Sequence, residues 1–108
     1  MITLPIKKKW FDMILSGEKK EEYREIKPYY QSRFCYAGMI LIPNHTIKFV
    51  NGYGNDKPYF IAHCYCKIGT GKPEWGAEPG TKYYVLKIKK IFDKGNIKWQ
   101  DQQVVINK

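Results

Sequence analysis

Lys19, Glu22 and Arg24 are the residues whose types and spacing suit chemistry, and they fall in one run, Gly17-Glu18-Lys19-Lys20-Glu21-Glu22-Tyr23-Arg24. On an extended strand, residues two apart point to the same face, so Glu22 and Arg24 are neighbours and Lys20 begins their row. A guanidinium beside a carboxylate fixes its geometry and keeps it ionised. Lys19, just ahead of the strand, can reach the same cleft. Such a trio can bind a phosphate or a base edge, and a partly desolvated lysine adds acid–base chemistry. The competing reading is a solvated edge strand whose charges discourage aggregation.

The elements that must position these residues are legible around them. Lys8 to Ser16 reads as a helix, with Trp10, Met13 and Ile14 at i, i+3 and i+4 and Phe11 and Leu15 widening the stripe. Gly17 follows where a helix commonly ends in a left-handed residue. Lys20 to Ile26 is then a strand, with Glu21, Tyr23 and Glu25 on the face opposite Glu22 and Arg24. Pro28 starts a short second helix through Phe34. Ile2 to Ile6, with its central Pro5, reads as an edge strand. Met39–Ile42 is a short apolar strand or buried loop, and Thr46–Asn51 is a strand. Tyr59 to Ile68 has the clearest alternation, with Phe60, Ala62, Cys64, Cys66 and Ile68 on one face. Lys82 to Phe92 is a long strand with Tyr84, Leu86 and Ile88 on one side. Asp93-Lys94-Gly95-Asn96 reads as a hairpin turn into Ile97-Lys98-Trp99, and Val104-Val105-Ile106 as a last strand. Between the long strands, Gly69 to Gly80 is an ordered loop pinned by Trp75. Many strands and few helices give an α+β fold of one domain, 1–108, as a small, partly closed, mainly antiparallel β-barrel.

Composition bounds the partner. Lys and Arg number 19 against 10 Asp and Glu, a net charge of +9. The excess favours a polyanion, nucleic acid before an anionic surface. No apolar run is long enough to span a bilayer, and the N-terminus lacks a signal-peptide layout. Three cysteines, Cys35, Cys64 and Cys66, make a poor disulfide framework and point to a reduced, cytoplasmic protein. Tyr23, Tyr29, Tyr30, Tyr53, Tyr59, Tyr65 and Trp75 are interleaved with lysines, a pattern that suits stacking of unpaired bases. Tyrosine also half-buries well on barrels, which competes with that reading. Trp75, on the loop that could roof the cleft, and Tyr29 and Arg33, flanking the charged strand, are the strongest additional ligand contacts.

Other chemistries find less support. Cys64-x-Cys66 is too tight for a zinc knuckle and falls on an apolar face, so no metal is expected. Gly69-Thr70-Gly71-Lys72 lacks the spacing of a phosphate loop. No nucleophilic triad has motif support, and no cofactor is implied.

The run Gly17 to Arg24 matches the GxKxxExR signature of the ASCH domain family, and Trp10-Phe11-Asp12-Met13-Ile14-Leu15-Ser16 is similar to the helix that precedes it there. Lys72-Pro73-Glu74-Trp75-Gly76 and Tyr83-Tyr84-Val85-Leu86-Lys87-Ile88 resemble the closing loop and strand of small bacterial and phage members. The resemblance implies a PUA-like β-barrel with a cleft beside the signature, and RNA binding for the family at large. Some members remove the acetyl group from acetylated cytidine, and others are ribonucleases. The signature lysine is Lys19, the acid Glu22 and the arginine Arg24. The deacetylase branch carries a threonine where this chain has Glu22, which argues against the same nucleophilic scheme. The expected function is therefore binding of RNA or a nucleotide-like ligand through Lys19, Lys20, Glu22, Arg24, Tyr29, Arg33 and Trp75. A small cofactor-independent hydrolase is the alternative, with Glu22 or Glu78 as base, Glu74 or Glu78 as the more distant acid, and Lys19 and Arg24 stabilising the developing anion. A protein-interaction module meeting an acidic partner is a third reading.

Overall fold

The computed structural model describes residues 1–97. The chain runs through β1 (Ile2–Ile6), α1 (Lys8–Leu15), β2 (Glu21–Glu25), α2 (Pro28–Phe34), β3 (Cys35–Tyr36), β4 (Ile40–Leu41), β5 (Asn44–Asn51), β6 (Tyr59–Thr70), a 3-10 turn (Pro73–Trp75) and β7 (Lys82–Gly95). This is an α+β fold. Five strands form one mixed sheet in the order β1-β5-β6-β7-β2, and β3 and β4 make a separate small hairpin. Three of the four ladders in the large sheet are antiparallel, while β1 runs parallel to β5.

Strands β1 and β2 are the two edges of this sheet, and among the described residues no ladder joins them. The sheet nevertheless curls until its edges are one side chain apart, because Arg24 of β2 donates to the Pro5 carbonyl of β1 at 2.7 Å. Pro5 lacks an N–H and sits on an edge, as proline in a sheet must, and its carbonyl remains available for that bond.

Helix α1 covers the concave side. Its buried residues are Phe11 and Ile14, with Trp10 and Leu15 packed against the core from either flank. Phe11 meets Phe60 at 5.2 Å between ring centroids, and Phe60 stacks on Phe49 at 5.0 Å. Helix α2 adds Phe34, whose ring meets Tyr84 edge-on. Gly17 takes φ +88°, and the turn it permits lets the Lys19 amide donate to the Met13 carbonyl at 2.9 Å. That bond folds the chain back over the end of α1 and points Lys19 toward Trp10.

The alternation expected for β6 holds for Phe60, Ala62, Cys64 and Cys66, all buried, but Ile68 is 50% exposed. The strand outruns the core there and continues to Thr70, paired with the start of β7. The hairpin turn expected at Asp93–Asn96 is corrected as well. Asp93, Lys94 and Gly95 remain in β7, opposite Ile61, Phe60 and Tyr59, because β6 begins early enough to offer them ladder partners. Gly95 is needed there, since a Cβ would lie 2.6 Å from the Tyr59 ring. The strand ends at Gly95, and the next residue, Asn96 at φ 56°, donates from its side-chain Nδ2 to the carbonyls of Asn55 and Lys57. The strand expected at Val104–Ile106 and most of Ile97–Trp99 lie outside the described residues.

The core carries a pH dependence. Burial pushes the Cys64 and Cys66 thiols from 9.0 up to about 12. Burial, then the hydrogen bond with Cys35, raises the Tyr84 phenol from 10.0 to about 12. All three stay neutral in the folded protein where the unfolded chain ionises. Their contribution to stability is whole below about pH 9 and is lost as pH rises toward 12, by at most about 1.4 kcal/mol per pH unit for each group. The stability of the wild type relative to Cys66→Val, read from urea midpoints, should therefore fall between about pH 8 and about pH 10.5. A difference between the two proteins that is unchanged across that range would contradict this account.

Candidate functional site

Strand β2 turns Glu22 and Arg24 inward and leaves Glu25 exposed. Glu22 pairs across the ladder with Leu86 and Arg24 with Tyr84, so both share the core-facing side of β2 at the edge of the sheet. Lys19 is 1% exposed and Glu22 7%. The Glu22 carboxylate lies between two cations: Lys19 Nζ is 3.3 Å from Oε1, and Arg24 reaches Oε2 through Nη2 at 2.7 Å and Nε at 3.1 Å. The trio carries a net charge of +1.

Each member is anchored from a different element. Lys19 Nζ donates to the Trp75 carbonyl at 2.6 Å and faces the rings of Trp10 and Tyr23 at 4.8 and 4.9 Å. Arg24 donates to Pro5 of β1 and, through Nη1 at 3.2 Å, to the Tyr30 hydroxyl of α2. Four hydrogen bonds thus occupy four of its five N–H groups. Burial lowers the pKa of Lys19 below that of an ordinary lysine, and Glu22 only partly offsets this. For Arg24, burial opposes the charge, but Glu22 and Tyr30 outweigh it and raise the value.

The roof is the loop after β6. Tyr23, on the other face of β2 with its partner Val85, accepts from the Lys72 amide at 3.0 Å and donates to Glu21 at 2.8 Å. Gly71 passes so close that a Cβ would lie 2.5 Å from the Tyr23 ring. Gly76, at φ +101°, lies against Trp10, where a Cβ would come within 2.9 Å. These close approaches bring the Trp75 carbonyl over Lys19.

Beside the trio opens a cleft of about 310 Å³, walled by Trp10, Tyr30, Tyr83 and Lys7, with Glu22 and Arg24 at its floor. Lys19 does not line it. Its ammonium sits behind Glu22, sealed by the two rings and the Trp75 carbonyl, and acts on the cleft through its charge and through Glu22.

Of the residues expected at the site, Lys19, Glu22 and Arg24 come together. Trp75 contributes its backbone carbonyl, while its ring is covered by the Lys72 ammonium at 4.6 Å. Lys20 lies outside, its ammonium bonded to the Gly17 carbonyl. Tyr29 and Arg33 pair with each other at 3.6 Å on the exposed side of α2. Glu74 is exposed on the 3-10 turn. Glu78 lines an adjoining hollow, its amide bonded to the Tyr83 hydroxyl. The roles of Trp10, Lys7 and the Pro5 carbonyl were not expected from the sequence, and Tyr30, expected only as one of the interleaved aromatic rings, also bonds Arg24. Only Tyr30, six residues after Arg24 at the start of a helix, carried any local signal.

The fold and site define a small α+β domain with a buried Lys–Glu–Arg chain under a half-aromatic cleft. Compared with protein families, curated proteins and solved structures, the chain matches none. Among the described residues no helix is long and apolar enough to cross a membrane.

Proposed function

We propose that this protein binds RNA or a nucleotide-like ligand in the cleft above Glu22 and Arg24, as a member of the ASCH family with a PUA-like barrel. The observation that carries this reading is the buried trio itself. Taking three charges out of water costs several kcal/mol each and is poor value for stability. Such groups at the floor of a cleft are a functional-site signature. Flat rings at Trp10, Tyr30 and Tyr83 offer faces or edges to a base. The Glu22 carboxylate suits an exocyclic amine on a base edge, and Lys7, exposed at the rim, suits a phosphate. The Arg24 bridge between the sheet edges supports the barrel reading, and the three free thiols support a cytoplasmic setting.

A second reading, hydrolysis of an acylated cytidine-type nucleoside, draws on the lowered pKa of Lys19. Titration with nucleoside monophosphates and short single-stranded RNA, at low and high salt, tests the first. Binding should weaken steeply with salt and raise the melting temperature. Absence of any melting shift at low salt would sink it. Mass spectrometry of an acetylated cytidine oligonucleotide tests the second. Loss of acetyl or strand scission that Lys19→Met abolishes would select the hydrolase, and intact substrate would exclude it.

A further inference from the structure

The central cleft shares wall residues with two further hollows, and the three together are called the trough. Pro5, Ile6 and Lys7 wall the central cleft on one side, and the same three residues wall a second hollow of about 380 Å³ that runs to Asn51, Gly52 and Tyr53. On the other side, Glu25 and Tyr83 are shared with a third hollow, of about 460 Å³, that reaches Glu78 and Lys82. The central and second hollows lie toward the low end of the ~300–1,000 Å³ usual for small-ligand sites, enough for about one ring system with its substituents.

The two ends differ in charge. No acid lines the second hollow, whose charged member is Lys7. Tyr53 stands at its far end, 81% exposed, on the turn where the aliphatic part of Lys57 packs against Gly52. The third hollow carries Glu25, which is paired with Lys27 at 3.0 Å, and Glu78 together with Lys82, so it has no excess of positive charge. A phosphodiester leaving the central cleft is therefore attracted on the Lys7 side and gains no net attraction on the Glu25–Glu78 side. Resting on the nucleotide-binding reading above, we infer that the trough takes two successive nucleotides of a single strand. One base sits over Glu22 and Arg24, the linking phosphate lies at Lys7, and the neighbouring base stacks on Tyr53.

The test compares dinucleotides with nucleoside 3′- and 5′-monophosphates by calorimetry, for the wild type, Tyr53→Ala and Lys7→Ala. Dinucleotides should bind about tenfold tighter than either monophosphate, as one added stacking contact allows. Tyr53→Ala should erase that gain and leave monophosphate affinity unchanged. Its exposed position makes unfolding an unsuitable explanation, and a melting curve checks this. Lys7→Ala should lower the salt slope for dinucleotides by about one. Equal affinity for both ligand lengths, or a gain that survives Tyr53→Ala, overturns the inference while leaving the central cleft as the ligand site. Absence of binding by both ligands overturns the nucleotide-binding reading itself, and this inference with it.

Discussion

Glu22→Ala should unfold this protein at temperatures where the wild type is intact. The substitution leaves Lys19, with a fully buried side chain, and Arg24, with one about a tenth exposed, facing each other without the carboxylate that separates them. Removing one partner of a buried ion pair costs about 3–5 kcal/mol, against the ~5–15 kcal/mol that stabilises a typical domain. For a domain near this size each kcal/mol moves the melting temperature by about 4–8 °C, so a fall of more than about 12 °C is expected. A drop under about 4 °C would mean that water reaches the trio in solution and that the charges are not paired as described. The triple variant Lys19→Met/Glu22→Leu/Arg24→Leu separates stability from function. Replacing a whole buried charge cluster by apolar side chains is often neutral or stabilising, so this variant should melt near the wild type and bind no nucleotide. A triple variant as unstable as Glu22→Ala would show that the trio, with its bonds to Pro5 and Tyr30, is part of the scaffold.

Lys19→Met carries the second large effect. Methionine keeps a long stem between Trp10 and Tyr23 but removes the ammonium. The Trp75 carbonyl then loses its donor, and the trio's charge falls from +1 to zero. A hydrogen bond from a charged donor contributes about 1.5–3 kcal/mol, so the domain should survive at room temperature. Affinity for a nucleoside monophosphate should fall about tenfold or more, since the carboxylate would then be balanced by Arg24 alone. If the protein is a hydrolase, turnover should fall about a hundredfold. The decisive readout is the pH profile. Burial lowers the Lys19 pKa below 10.5, so the folded protein loses that charge before an ordinary lysine would. Wild-type affinity for an anion should decline as pH rises through the lowered value, with the Lys19→Met profile flat in that window. In stability the sign is opposite: between the lowered value and 10.5 the unfolded chain holds the proton more tightly, so rising pH favours folding. Parallel affinity profiles for the two proteins would remove Lys19 from the site's electrostatics.

Much of the scaffold could be read along the chain because its signals are local. The apolar stripe of α1 and the glycine that ends it lie within a few residues of each other, as do Pro28 and the helix it starts. Alternation along β2 put Glu22 beside Arg24, and alternation along β6 put Phe60, Ala62, Cys64 and Cys66 in the core. These patterns express backbone geometry, which repeats every two or 3.6 residues and needs no distant partner. The tertiary structure alone decided the rest. That Arg24 closes on Pro5, 19 residues back, and Lys19 on Trp75, 56 residues on, depends on how far the sheet curls and how tightly Gly71 and Gly76 let the loop descend. The same curl placed Trp10 and Tyr30 beside the trio and left Tyr29 and Arg33 outside. It also held Asp93 to Gly95 in a strand that their turn-like sequence did not announce, because ladder partners were waiting at Tyr59 to Ile61. Residue types and spacing fixed which charges stand together. Only the packing of distant segments determined that they stand out of water, where their mutual pull is strongest.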